Sequence, residues 1–134
     1  PGAALAPYRR ALAAYQGEYL QEYPYAEWAS EERERLLTLY LRTAERLAQA
    51  LVAREAWEEV IAVCRGILAR DDCWEEAYRL LMLAYARQGQ RSQALRTYRR
   101  CVERLETELG MTPLPRTVAA YESLRREQPA VDKS

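Results

Sequence analysis

With 134 residues, 49% of them apolar, the chain can build one domain with a modest core. Ala, Leu, Glu and Arg dominate and Phe, His and Asn are absent, a helix-forming alphabet that predicts an all-α fold. Its 20 basic and 20 acidic residues cancel, so the basic footprint of a free-standing nucleic-acid binder is missing, and no apolar run approaches the roughly 18 residues of a bilayer span.

In chain order, Leu5, Tyr8, Leu12 and Tyr15 form one helical stripe, closed by Gly17. A linker broken at Pro24 carries Tyr19, Leu20, Tyr23, Tyr25 and Trp28, aromatic surface expected to pack on the next helix. Ser30, followed by Glu31 and Glu32, reads as a helix cap with acids in the first turn. The stripe after it is Leu37, Tyr40, Leu41, Ala44, Leu47, Ala48 and Leu51. A further helix is predicted from Trp57 to Ala69, with Val60, Ile61, Cys64, Ile67 and Leu68 inward, ending at Asp71-Asp72. Another carries Tyr78, Leu81, Met82 and Tyr85 and stops near Gly89. The next carries Ala94, Leu95, Tyr98, Cys101, Val102 and Leu105 and stops at Gly110. Pro113 and Pro115 flank a last helix expected to bury Val118, Tyr121 and Leu124. Residues 1–128 thus read as one domain and 129–134 as a loose tail.

Two of these helix pairs repeat. Tyr78, Leu81, Met82, Tyr85, Gly89, Ala94, Tyr98 and Cys101 occupy the fixed places of the tetratricopeptide pattern, whose period is 34 residues. One period earlier stand Ala44, Leu47, Ala48, Leu51, Glu55, Val60, Cys64 and Ile67. Only Glu55, which takes the place of the turn glycine, departs in character. Small residues such as Ala48 and Ala94 let paired helices approach, and Tyr85 and Tyr98 fill the gap to the next pair. One pair cannot bury its own face, so pairs stack. The expected architecture is a tetratricopeptide-like right-handed superhelix of antiparallel pairs with capping helices. Its repeat core is Ala48, Leu51, Cys64, Met82, Tyr85, Ala94 and Tyr98.

The blocks of the chain resemble a narrower family. Ala11-Leu12 followed by Tyr15, Gly17 and Leu20, and then Trp28 with Arg33 and Leu36, are similar to the opening elements of the bacterial transcriptional activation domain, the helical-repeat part of antibiotic regulatory protein type activators. Glu75, Arg79, Leu81 and Met82 match its middle block. Gly89 with Ala94-Leu95 and Tyr98, except that Gln90 replaces the family's Arg, then Leu105, Glu108-Leu109-Gly110 and Pro113, match its last two. Asp71-Asp72 stands where the family has Asp-Pro. The resemblance implies a protein-interaction and regulatory domain of a transcription activator. It also implies an upstream winged helix as the DNA reader, which nothing in this sequence matches; DNA would be reached only through that domain. The start at Pro1 rather than Met is expected of a piece of a longer protein. A generic tetratricopeptide adaptor of a signalling protein is the alternative.

Catalysis is poorly supported. There is no His, and Lys133, the single lysine, lies in the tail. Cys64 and Cys101 fall on equivalent inward places and Cys73 on a turn, a poor set for zinc. No enzyme activity, metal or cofactor is expected. An odd number of cysteines, three, without secretory features predicts reduced thiols and a cytoplasmic setting. The partner is expected to be a protein or an adjacent domain, with no membrane contact. Its surface should be the concave face: Arg42, Glu45, Gln49 and Val52, then Glu76, Arg79, Leu83 and Ala86. That face is either a peptide groove or a docking surface for a neighbouring domain. Arg96, Arg99, Arg100 and Arg104 form a separate stripe. It suits an acidic or phosphate partner, or else a solvated face with Arg99–Glu103 and Arg104–Glu108 pairs.

Overall fold

Ala- and Leu-rich runs with a 3.6-residue apolar period have one economical solution, helices stacked on their striped faces. The computed structural model describes the backbone of residues 2–17 and 27–127, and side chains over 5–12 and 29–127. Among these residues every regular element is an α-helix: α1 Gly2–Gly17, α2 Glu27–Ala53, α3 Trp57–Arg70, α4 Glu75–Arg87, α5 Arg91–Leu109 and α6 Pro115–Arg126. Helices α1 to α5 each pack chiefly on a neighbour in sequence; α2 also meets α4, and α6 divides its contacts between α4 and α5. The α2–α3 and α4–α5 pairs are therefore the two repeats, and α2, α4 and α6 share one side.

The 34-residue register holds in the core. Ala44, Leu47, Ala48, Leu51, Val60, Cys64 and Ile67 are all at most 3% exposed. Their counterparts Tyr78, Leu81, Met82, Tyr85, Ala94 and Cys101 are buried as well. Tyr98 differs: it is half-buried, with its ring stacked 4.0 Å from that of Tyr121 on α6. It bridges to the next helix instead of joining the inner core. Leu5 of α1 is buried in the same cluster, with Tyr8 and Leu12 packed beside it. The Tyr15 and Trp28 side chains, Tyr19, Leu20, Tyr23, Pro24, Tyr25 and the segment from Pro129 lie outside the described residues.

Both intra-repeat turns have the same geometry. At the first, Glu55 takes φ 57°; its N–H donates to Val52 O (2.9 Å) and that of Ala56 to Leu51 O (3.0 Å). At the second, Gly89 takes φ 78°; its N–H donates to Ala86 O (3.0 Å) and that of Gln90 to Tyr85 O (2.8 Å). Each is a Schellman closure, with a left-handed residue just past the helix. Between repeats, Asp71 Oδ1 accepts from Cys73 N–H (3.0 Å), and the Tyr78 hydroxyl donates to Asp72 O (2.7 Å). Those bonds stiffen a turn that lacks the proline.

Two expectations need correction. Ser30 is not a cap: α2 begins at Glu27, and Ser30 lies inside it. The extra turn carries Ala29 into a site only 2% exposed, which outweighs a serine's preference for a helix end. In α6, Thr117 is the buried residue, while Val118, Tyr121 and Leu124 are half-buried. No further helix pair among the described residues covers the outer side of α6.

The α2–α3 approach is close at Gly66. A Cβ there would stand 2.9 Å from the Tyr40 hydroxyl. Arg70 Nη1 donates to Gly66 O (2.9 Å), and the guanidinium lies 4.4 Å from the Tyr40 ring centroid.

Candidate interaction face

Helices α2, α4 and α6 meet around a cleft of about 490 Å3, lined among others by Glu45, Gln49, Trp74, Glu75, Glu76 and Arg79. The helical spacing puts Glu45 and Gln49 one turn apart on α2. Glu75 and Glu76 occupy the first turn of α4, where the helix dipole favours acids. Two bonds tie α2 to this end of α4. The Trp74 indole N–H donates to Glu45 Oε1 (2.7 Å), and Gln49 Nε2 donates to Glu76 Oε2 (3.0 Å).

Arg79 is the hub. Its Nε donates to Glu76 Oε1 (3.0 Å) and its Nη1 to Thr117 Oγ1 (2.7 Å), with Glu75 Oε2 4.0 Å from Nη1. The Thr117 hydroxyl passes its own proton toward Glu75 Oε2 (2.7 Å), which also accepts from the Leu114 N–H (2.9 Å). Leu114 is the residue before α6 and has no side-chain cap of its own. Glu75 of α4 supplies that cap in trans and sets a negative charge at the positive end of α6. The Arg79 and Glu75 side chains are 13% and 15% exposed, so this network works with little competition from water.

Of the eight residues expected on this face, Glu45, Gln49, Glu76 and Arg79 line the cleft. Arg42 is exposed on α2 beyond the lining, and Leu83 is half-buried on α4. Val52 and Ala86 pack partly against the hydrophobic core. Trp74, Glu75, Leu114, Arg116 and Thr117 belong to the site and were not singled out for it by sequence reasoning. The four-residue spacing of Glu75 and Arg79 was a visible signal; Thr117 had none, because its partners lie 38 and 42 residues away.

The thiols are chemically quiet. Cys64 and Cys101 are fully buried, and burial pushes each up to about 12. Cys73 is raised by burial and then by Asp72 and Asp71 beside it. Thiolate, the reactive form, is disfavoured at all three. No group of His, Cys, Asp or Glu among the described residues is arranged to hold a metal ion. No helix among them is long and apolar enough to cross a membrane.

Paired helices in a 34-residue register, stacked in chain order, make this an all-α helical-repeat domain of tetratricopeptide-like character. The family profile of the bacterial transcriptional activator domain matches residues 1–125, and the chain belongs to that family. No curated protein and no solved structure gives a significant match.

Proposed function

We propose that the chain is the regulatory, protein-interaction part of a bacterial transcription activator, and that it acts through the α2–α4–α6 face on an adjacent domain or another protein. The cleft carries this reading: its rim is polar and its base is locked by the Glu75–Thr117–Arg79 network, so the surface is preformed. DNA is read by a separate domain of the parent protein, in keeping with the zero net charge here. The domain is not catalytic, since it has no His and its three thiols are held protonated. It works in the cytoplasm, where Cys64, Cys73 and Cys101 stay free.

The test uses the parent activator with Gln49→Arg and Arg116→Glu on the cleft rim. Reporter transcription should fall about tenfold, while promoter binding in a mobility-shift assay and the circular-dichroism spectrum stay unchanged. Unaltered transcription removes this face from the mechanism. Tight, sequence-specific DNA binding by the isolated domain would remove the separate reader.

A further inference from the structure

A second cavity, about 740 Å3, opens between α3 and α5 above α4. Its apolar base is formed by Leu81 and Tyr85 of α4, with Leu68 of α3 at the side. Four guanidiniums line it: Arg65 from α3, and Arg96, Arg99 and Arg100 from α5. The acid in the lining is Glu103. Four cations against one carboxylate is a strong local excess on a chain whose total charge is zero.

The partners of these arginines are neutral. Arg65 Nη2 donates to the Tyr85 hydroxyl (2.5 Å). Arg96 gives Nε and Nη2 to Gln93 Oε1 (2.9 and 2.6 Å). Burial pushes the Tyr78 hydroxyl up to about 12, and the nearby Arg100 guanidinium pulls it partway back. Arg99 does not form the expected bridge to Glu103; among the described residues no ion pair joins them. Arg104, the fourth member of the stripe, turns away to Asp72 (3.1 Å) and Glu108 (2.5 Å). Elsewhere in the fold, arginines such as Arg79 and Arg9 pair with carboxylates. In this groove the guanidiniums are oriented without being neutralised, and so remain able to take an anion.

The charge layout of α5 makes the same point. Arg96, Arg99 and Arg100 stand in its first half and Glu103, Glu106 and Glu108 in its second. No acid lies in its first turn and no base in its last. Helix dipoles favour the opposite arrangement, so helix stability does not account for it.

We propose that this groove binds an acidic, partly apolar peptide segment of a protein partner. Its carboxylates would meet Arg96, Arg99 and Arg100, and an apolar side chain would rest on Leu68, Leu81 and Tyr85. A nucleic-acid backbone fits less well: continued along α5, its phosphates would meet Glu103, Glu106 and Glu108. This site lies on the α3–α5 side of α4 and shares no lining residue with the α2–α4–α6 cleft, and the proposal does not depend on that face.

The experiment is fluorescence anisotropy on the full chain with a short labelled peptide of repeating Asp-Leu-Glu-Leu units. An Asn-Leu-Gln-Leu analogue and a single-stranded oligonucleotide serve as the other probes. The acidic peptide should bind, more weakly as salt rises, and the amide analogue should not. Arg96→Gln, Arg99→Gln and Arg100→Gln should each weaken binding about fivefold, and together by well over tenfold. A charge-matched triple, Arg46→Gln, Arg54→Gln and Arg126→Gln, should leave it within about twofold. Circular dichroism of both triples checks the fold. Equal losses in the two triples would reduce the effect to diffuse charge and overturn the proposal. So would tighter binding of the oligonucleotide than of the peptide, or no peptide binding at millimolar concentration.

Discussion

Glu55 and Gly89 occupy the same place in consecutive repeats and adopt nearly the same backbone, φ 57° and 78°. For an L-residue the left-handed conformation costs about 1–2 kcal/mol, because Cβ crowds the following carbonyl. Glycine escapes that cost but loses about 0.5–1 kcal/mol more chain entropy on folding. The exposed Glu55 side chain makes no hydrogen bond or ion pair among the described residues, so Glu55→Gly removes strain and little else. The net expectation is a gain of about 0.5–1 kcal/mol, which for a domain of this size raises Tm by roughly 2–4 °C. Urea unfolding followed by circular dichroism should show a higher midpoint with an unchanged slope. The reverse change, Gly89→Ala, should cost about 1 kcal/mol, since a Cβ there meets nothing within 4 Å and only the backbone objects. A lower midpoint for Glu55→Gly, or a neutral Gly89→Ala, would refute the reasoning that the register imposes this turn on either residue.

Other substitutions probe the packing and the polar network. Glu75→Ala removes the acceptor for Leu114 N–H and the Thr117 hydroxyl, and should cost about 1–3 kcal/mol. Hydrogen exchange should then rise selectively in α6; uniform acceleration across the domain would count against the trans cap. Gly66→Ala alone drives a Cβ against the Tyr40 hydroxyl, but combined with Tyr40→Phe it should recover up to about 1 kcal/mol of helix propensity. A thermal melt of the double variant below that of Tyr40→Phe would contradict this. Cys64 and Cys101, raised from 9.0 to about 12, keep their protons in the folded state where the unfolded chain has lost them. Stability should therefore fall as pH climbs from about 9 toward 12, with both thiols contributing to the slope. Cys64→Ala with Cys101→Ala should flatten that slope in urea titrations; an unchanged slope would assign it to other groups, Tyr78 among them.

The repeat was legible because its signal is local and periodic. Ala44 to Ile67 and Tyr78 to Cys101 each carry apolar residues at helical spacing, and burial follows those positions closely. The shape of the first turn could not be read from Glu55, since residue type there contradicts the conformation; the paired hydrogen bonds on either side enforce it. Ser30 misled because capping preference is weaker than the burial of Ala29. Half of the expected interaction face lines the cleft, while Val52 and Ala86 lean on the core. The network through Thr117 was invisible because it joins elements distant in sequence, and no periodicity marks such contacts. In the arginine stripe, only the Arg104–Glu108 bridge follows from spacing alone; the other three point into a groove whose existence depends on α3.

Among the described residues most helices lean chiefly on their immediate neighbours and otherwise on the helix after next, so load passes along the stack from one helix to another. Stretched along its axis, such a stack yields in steps, one hairpin releasing while the next still bears load. Glu75 sets the first of those steps at the carboxyl end, because its side chain fastens α6 to α4. A tug on that end loads the cleft through Glu75 and, at the same time, α5 through the stacked Tyr98 and Tyr121 rings.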